Sequence, residues 1–166
     1  MDGVPYAMAG ARRRHDRIVA NTTVSIGTQL MGKPCEVFPA DTAVLIPAGN
    51  VRLPDVGVDR GAAADDDRTA KQPRLVVEVL SPSTRGFDMF IKMDEYKAIP
   101  SLQYILLIDP EDPQAMRWSR GAGPDWQDEI FQGIDAVIDL PLLGLTLSLA
   151  TPCDRVPVQT KPRLVG

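Results

Sequence analysis

Residues 75–80 read Leu-Val-Val-Glu-Val-Leu, an apolar run that a single acid, Glu78, interrupts. A continuous run of this length is typical of a strand that is covered on both faces, as in the centre of an α/β sheet. Residues 87–98 follow with helical spacing, and residues 104–108 form a second apolar run. Strand, helix and strand in this order predict one βαβ-like unit with a parallel pair of strands.

Shorter segments on both sides of this unit predict the rest of an α/β fold. In residues 14–30 the apolar positions Ile18, Ile26 and Leu30, with Thr22 between them, recur every four residues and predict one amphipathic helix. Segments rich in β-branched residues, separated by prolines and glycines, predict short strands, and those that precede residue 59 are consistent with a β-meander. The predicted strands outside the βαβ unit are residues 35–38, 43–46, 51–58, 116–118, 126–131 and 137–147.

Length and composition predict a single domain over residues 1–166. Of the 166 residues, 44% are hydrophobic, which is enough for one core without a disulfide framework. The two cysteines, Cys35 and Cys153, lie far apart and outside any C-x-x-C spacing, which argues against a cysteine zinc site. Residues 59–73 have the composition of an exposed, mobile loop, and residues 151–166 that of an irregular tail.

Charge and hydropathy narrow the class of protein. No apolar run approaches the roughly 18 residues of a membrane span, and the first residues lack the order of a signal peptide. We therefore expect a cytoplasmic protein without a membrane partner. The formal net charge of −4 argues against a surface that is basic all over. A local basic patch, Arg12-Arg13-Arg14, can still contact the phosphates of a nucleic acid.

The candidate chemistry starts from the two acids that adjoin predicted strands. An ionised Glu78 in a buried strand costs several kcal/mol unless a metal or a cation compensates its charge. Asp55 follows Pro54 at the start of another predicted strand, and two such carboxylates are the oxygen ligands that suit Mg²⁺. Lys92, on the next helix, can supply a cation to the same site. This set predicts metal-assisted hydrolysis of a phosphodiester.

Each candidate residue also has a structural interpretation. Asp55 can be a turn or capping residue after proline, and Glu78 can belong to a structural ion pair across the sheet. Lys92 can be a solvated helix residue that pairs with Asp88, four positions earlier. The chain has one histidine, His15, which argues against a multi-histidine zinc site. Its position predicts a residue at the start of a helix.

A longer order of residues resembles a known family. The features that carry the resemblance are Pro54-Asp55-Val56, the string Glu-Val-Leu-Ser-Pro-Ser-Thr at residues 78–84, the helix positions Asp88, Lys92 and Tyr96, and the run from Tyr104 to Asp109-Pro110. This order resembles the Uma-two family of restriction endonucleases, within the PD-(D/E)-x-K nuclease superfamily. The resemblance extends from Asp2 to about Leu147, and the string that begins at Glu78 is its most specific part.

The resemblance implies a fold, a cofactor and an activity. It implies a restriction-endonuclease-like mixed β-sheet core flanked by helices, with Mg²⁺, or Mn²⁺ as a substitute, held by Asp55, Glu78 and the backbone carbonyl of Val79. It also implies hydrolysis of DNA by metal-activated water. In the superfamily the lysine lies two residues after the glutamate, where this chain has Leu80, and the family places it at Lys92. A homodimer is expected because two active sites cut both strands of a duplex most easily.

The leading hypothesis is therefore a Mg²⁺-dependent endonuclease with Asp55, Glu78 and Lys92 as catalytic residues and Arg12 to Arg14 as phosphate contacts. A second hypothesis is a catalytically silent nucleic-acid-binding or assembly module that retains the nuclease fold. The acidic net charge favours it, as does the start of the chain near the Asp2-Gly3 turn, because the resemblance implies an acidic residue upstream. A third hypothesis is a metal-dependent hydrolase of a small phosphoester, which would act on a chromogenic phosphodiester but not on DNA.

Overall fold

A mixed β-sheet between two helices organises the chain in the computed structural model, which describes residues 4–61, 63–81 and 86–155. The side chains of residues 4–11, 87 and 88 are outside that description. In chain order, the elements of the described part are α1 (Val4–Leu30), β1 (Glu36–Pro39), β2 (Val44–Leu45), β3 (Val51–Arg52), β4 (Val56–Asp59), β5 (Pro73–Val79), α2 (Phe87–Lys97), β6 (Tyr104–Asp109), β7 (Gln114–Arg120), β8 (Trp126–Gln132), β9 (Val137–Leu140), a 3₁₀ turn (Pro141–Leu143) and β10 (Leu145–Ser148).

The central sheet has six strands in the order β1-β4-β5-β6-β7-β8. Strands β5 and β6 are parallel, with Leu75 opposite Tyr104 and Val79 opposite Ile108, and α2 connects them. The other four neighbouring pairs in this sheet are antiparallel. The predicted βαβ unit is therefore confirmed, as is the predicted mixed sheet flanked by helices.

The predicted β-meander before residue 59 is wrong, because two of its strands leave the sheet. Strand β1 pairs directly with β4, and β2 and β3 form a separate hairpin between them in the chain. We call residues 44–52 the β2–β3 hairpin. Val44 and Ile46 are buried in the same apolar cluster as Met93 and Tyr96 of α2. Burial of these side chains against the face of the sheet outweighs extension of the sheet by two short strands.

Strand β5 separates two apolar clusters. Leu75, Val77 and Val79 face the cluster that contains the buried side chains of α1, together with β9 and β10. Val76 faces the opposite cluster, which contains the buried side chains of α2. Because successive side chains of a strand alternate between faces, Glu78 lies on the α2 side of the sheet. The fold thus brings one face of α2 directly over the acid of β5.

Helix α1 begins earlier than the sequence predicts. It starts at Val4, ten residues before the predicted start, with Pro5 in its first turn, where proline is tolerated. The prediction depended on the first bulky apolar position, Ile18, whereas the preceding segment is rich in alanine and arginine, which favour helix without defining a buried face. The prediction that His15 starts a helix is therefore wrong, because His15 lies inside α1.

The base of the predicted loop at residues 59–73 is held by a buried acid. Asp59 ends β4, and its side chain accepts hydrogen bonds from the backbone N–H groups of Lys71 at 2.7 Å and Gln72 at 2.6 Å. Pro73 begins β5, so both end residues of the predicted loop belong to strands. Mobility between them stays a prediction.

The chain after β10 packs back onto α1. The side-chain amide of Asn21 donates to the backbone carbonyls of Pro152 and Asp154, each at 3.1 Å. Residues 156–166 of the predicted irregular tail lie outside the described residues. Neither of the helices in the described ranges is long and apolar enough to cross a membrane.

Candidate active site

Two carboxylates meet where β5 ends. Val56 of β4 is opposite Val77 of β5, so one further step of this antiparallel register places Asp55 opposite Glu78. Residues in such positions have Cβ atoms about 5 Å apart and side chains on the same face. The Oδ2 atom of Asp55 also accepts a hydrogen bond of 2.7 Å from the backbone N–H of Val79. The sheet therefore holds the two predicted metal ligands side by side.

Glu78 is buried and has two partners on α2. Its exposed fraction is 4%, and its Oε1 atom accepts hydrogen bonds from Lys92 Nζ at 3.0 Å and from the Tyr96 hydroxyl at 2.6 Å. Burial raises the pKa of Glu78 above its usual value, although the positive charge of Lys92 and the hydrogen bond from Tyr96 act in the opposite direction. The nearby charge of Asp55 adds to the increase in this pKa. Lys92 thus contacts Glu78, while the alternative that pairs it with Asp88 lies outside the described side chains.

Tyr96 is a part of the site that reasoning from the residues did not single out. The helical spacing predicts it only as an apolar core position, and the resemblance adds only that the family pattern includes it. Burial raises the pKa of Tyr96, and the charge of Glu78 raises it further, so the hydroxyl stays protonated and donates. The spacing in the sequence could have indicated Tyr96, because Lys92 and Tyr96 are four residues apart and therefore lie on one face of a helix.

His15 is the second residue that reasoning from the sequence missed. Its Nε2 atom lies 3.3 Å from Asp55 Oδ2, although the two residues are far apart in the chain. The hydrogen bond with Asp55 raises the pKa of His15, which burial alone would lower. A protonated His15 therefore compensates the charge of Asp55.

Substitution of His15 by glutamine is expected to destabilise the protein more at about pH 6 than at about pH 9. The pKa of His15 is raised in the folded state, so its stabilising contribution is fully present below the unfolded value of about 6.5. This contribution disappears as the pH rises through the folded value. Thermal unfolding of both proteins at these two pH values tests the expectation. A difference in melting temperature that did not vary with pH would contradict it.

The predicted basic patch divides into two parts. Arg12 and Arg13 are exposed on α1. Arg14 is only 16% exposed, and its Nη1 atom donates to Glu111 Oε1 at 3.0 Å. Arg14 therefore has an ion-pair partner within the fold. Contact of these three arginines with phosphate stays a prediction.

The carboxylates fit a divalent cation such as Mg²⁺. In the described part of the chain, the hydrogen bonds to Glu78 end on Oε1 and the backbone bond to Asp55 ends on Oδ2, which leaves one oxygen of each group to meet a cation. The described residues contain no group of three or more His, Cys, Asp or Glu side chains arranged for a metal. Mg²⁺ is commonly held by one or two carboxylates together with waters and substrate phosphates, so this donor set is suitable.

A protein-family model matches most of the chain. Residues 1–151 match the model of the Uma2 family, which is described as "Putative restriction endonuclease". The chain belongs to the Uma2 family. The resemblance inferred from the sequence is thus confirmed, and Uma2 membership places the chain among the restriction endonuclease-like nucleases.

Relatives and a solved structure extend this result. Two proteins of Synechocystis sp., named "Uncharacterized protein slr1290" and "Uncharacterized protein sll1609", are 31% and 29% identical to this Uma2 chain. The first alignment covers 89% of this chain and 78% of the relative, and the second covers 87% and 84%. A crystal structure of a "putative nuclease belonging to DUF820" from Anabaena variabilis has a similar fold, with a TM-score of 0.66 and 19% identity over 84% of this chain and 79% of that one.

Proposed function

We propose that this Uma2 protein is a metal-dependent endonuclease that hydrolyses phosphodiester bonds of DNA. The observation that carries the proposal is Glu78, a buried acid beside Asp55 that Lys92 and Tyr96 hold from α2. If Glu78 were purely structural, a neutral side chain in its place would give a more stable fold, because the attraction within a buried ion pair rarely exceeds the lost hydration free energy of its two charges. A binding site for a cation gives this cost a function.

We assign metal-binding and positioning roles to different residues of the site. Asp55 and Glu78 bind the cation, which we propose to be Mg²⁺ with Mn²⁺ as a substitute, and the carbonyl of Val79 is the third proposed ligand. When bound, such a cation polarises a phosphoryl oxygen and lowers the pKa of a water molecule. The backbone of Val79 fixes Asp55, and the Tyr96 hydroxyl fixes Glu78, so the ligands are positioned in advance.

Lys92 is proposed to act on the substrate. Its ammonium lies 3.0 Å from Glu78, and its side chain is 21% exposed, so the charge is at the border between the site and solvent. Once a cation compensates Glu78, Lys92 can donate to a phosphate oxygen and stabilise the negative charge that develops there. In this scheme the helix position of the lysine serves the function that the superfamily pattern assigns to a residue of the strand.

The experiment that tests the proposal is cleavage of supercoiled plasmid DNA by the purified protein. We expect nicking with Mg²⁺ or Mn²⁺, none with EDTA, and none by Asp55→Asn with either metal. Tight DNA binding without hydrolysis would instead favour the silent module. Turnover of a chromogenic phosphodiester without cleavage of DNA would favour the small-phosphoester hydrolase. Light scattering, with and without DNA, tests the accompanying expectation of a homodimer.

A further inference from the structure

A second pair of opposite charges joins the β2–β3 hairpin to α2. Arg52 Nε donates to Glu95 Oε2 of α2 at 2.5 Å, and Asn50 Nδ2 donates to Glu95 Oε1 at 2.6 Å. Both oxygens of Glu95 are therefore used, and both partners come from the hairpin. The Glu95 side chain is 12% exposed, which places this contact in a partly dry environment.

Arg52 makes this contact with only one edge of its guanidinium. In the described part of the chain, no hydrogen bond occupies its two terminal nitrogens, and its side chain is 30% exposed. An arginine that served only to join the hairpin to α2 would gain most from a two-pronged contact with the carboxylate. Here Asn50 takes the second oxygen of Glu95 instead. The arrangement fixes the plane of the guanidinium and leaves four N–H donors available.

The guanidinium is also within electrostatic reach of the carboxylate site. The hydrogen bond with Glu95 raises the pKa of Arg52, and the charge of Glu78 raises it further. The charge of Lys92 helps to lower the pKa of Glu95, after the larger effects of Arg52 and Asn50. Glu78, Lys92, Glu95 and Arg52 therefore form one charged cluster, with acids and cations alternating around the face of α2.

We propose that Arg52 binds the phosphate of the substrate strand through its two terminal nitrogens, while Glu95 and Asn50 act as positioning residues. The inference rests on the proposed function, because it names a substrate contact at the same site. A planar fork of donors matches two oxygens of one phosphate group, and a guanidinium cannot lose its charge at neutral pH. Lys92 is occupied by Glu78 until a cation binds, so of the two cations in this cluster Arg52 is the one with free donors for DNA.

The test compares binding of a fluorescein-labelled DNA duplex, by anisotropy with Ca²⁺ in place of Mg²⁺, for wild type, Arg52→Gln, Arg52→Lys and Arg60→Gln. Arg60 is exposed and follows β4 at the end remote from Asp55, so it controls for the loss of one charge. We expect Arg52→Gln to weaken binding about tenfold. The slope of the logarithm of the binding constant against the logarithm of the salt concentration should also fall by about one. Arg52→Lys should recover the salt dependence but only part of the affinity, and Arg60→Gln should bind like wild type.

A positioning role for Glu95 predicts a different pattern. Glu95→Gln keeps a hydrogen-bond acceptor for Arg52 and should raise KM for DNA several-fold with little change in kcat. Calorimetry of Mg²⁺ binding to Arg52→Gln separates the proposed role of Arg52 from the proposed nuclease activity. Normal Mg²⁺ binding with unchanged DNA affinity and salt dependence would overturn the role of Arg52 and leave the nuclease proposal standing. A wild-type protein that neither binds nor cleaves DNA would overturn both.

Discussion

Replacement of Glu78 by glutamine is expected to abolish Mg²⁺ binding and to reduce plasmid cleavage by more than about a hundredfold. Substitutions of groups that merely support a metal ligand already cost 10–100-fold, and here the ligand itself loses its charge. Glutamine retains the oxygen that accepts from Tyr96 and Lys92, so both hydrogen bonds from α2 can persist. Calorimetry with Mg²⁺ and plasmid nicking measure the two effects.

The stability of Glu78→Gln relative to wild type should increase as the pH rises. The pKa of Glu78 is raised in the folded state, so its contribution to stability is present below the unfolded pKa and is lost as the pH rises through the folded one. Glutamine suffers no such loss. The exposed acid of β8 provides a control, because Glu129→Gln should cleave DNA like wild type. Wild-type Mg²⁺ binding by Glu78→Gln would make Glu78 a structural acid.

Replacement of Lys92 by methionine is expected to reduce cleavage by a factor of about 10²–10³ while Mg²⁺ binding persists. This is the usual cost of removing one group that stabilises charge in a transition state. It should also lower the free energy of unfolding by about 2 kcal/mol at neutral pH. The cost of breaking a fully buried pair is larger, but the Lys92 side chain is 21% exposed. Single-turnover cleavage and denaturant unfolding measure the two quantities.

Two further variants separate the role of Lys92 from a general effect on α2. The double variant Glu78→Gln/Lys92→Met should recover most of the lost stability, because no charged partner is left behind in the interior. Lys97→Met, on the same helix, removes a lysine whose ammonium lies over Trp118 at 5.5 Å rather than beside Glu78. It should cleave DNA like wild type. Full activity of Lys92→Met would eliminate Lys92 as a catalytic residue.

The strands at the centre of the sheet were the part of the fold that the sequence predicts best. Residues 75–80 and 104–108 are apolar on both faces, and a helix of eleven residues separates them, so a parallel pair is the simplest way to bury them. The β2–β3 hairpin was not predicted to leave the sheet, because its strands of two residues carry no pattern that distinguishes pairing with β1 or β4 from packing on a face. That choice depends on contacts with α2, which are distant in sequence.

The candidate site is likewise predictable in part, since one of its residues stands out in the sequence and another depends on contacts that are distant in the chain. Glu78 is conspicuous in the sequence because a lone acid in an apolar run requires a partner. Asp59 is equally buried, at 4% exposed, yet it holds a loop by backbone hydrogen bonds, and the sequence does not distinguish these two uses of an acid. His15 could not be predicted as a neighbour of Asp55, since their contact depends on how α1 crosses the sheet.

Because β1 pairs directly with β4, the β2–β3 hairpin is an insertion between two paired strands and contributes no strand to the central sheet. A change in the length or sequence of the hairpin therefore leaves the register of the ladder intact, while it moves Arg52 relative to a fixed pair of carboxylates. If Arg52 binds a substrate phosphate as proposed, exchange of this segment between homologues should change how tightly and in what position the strand is held, while the carboxylate pair stays in place.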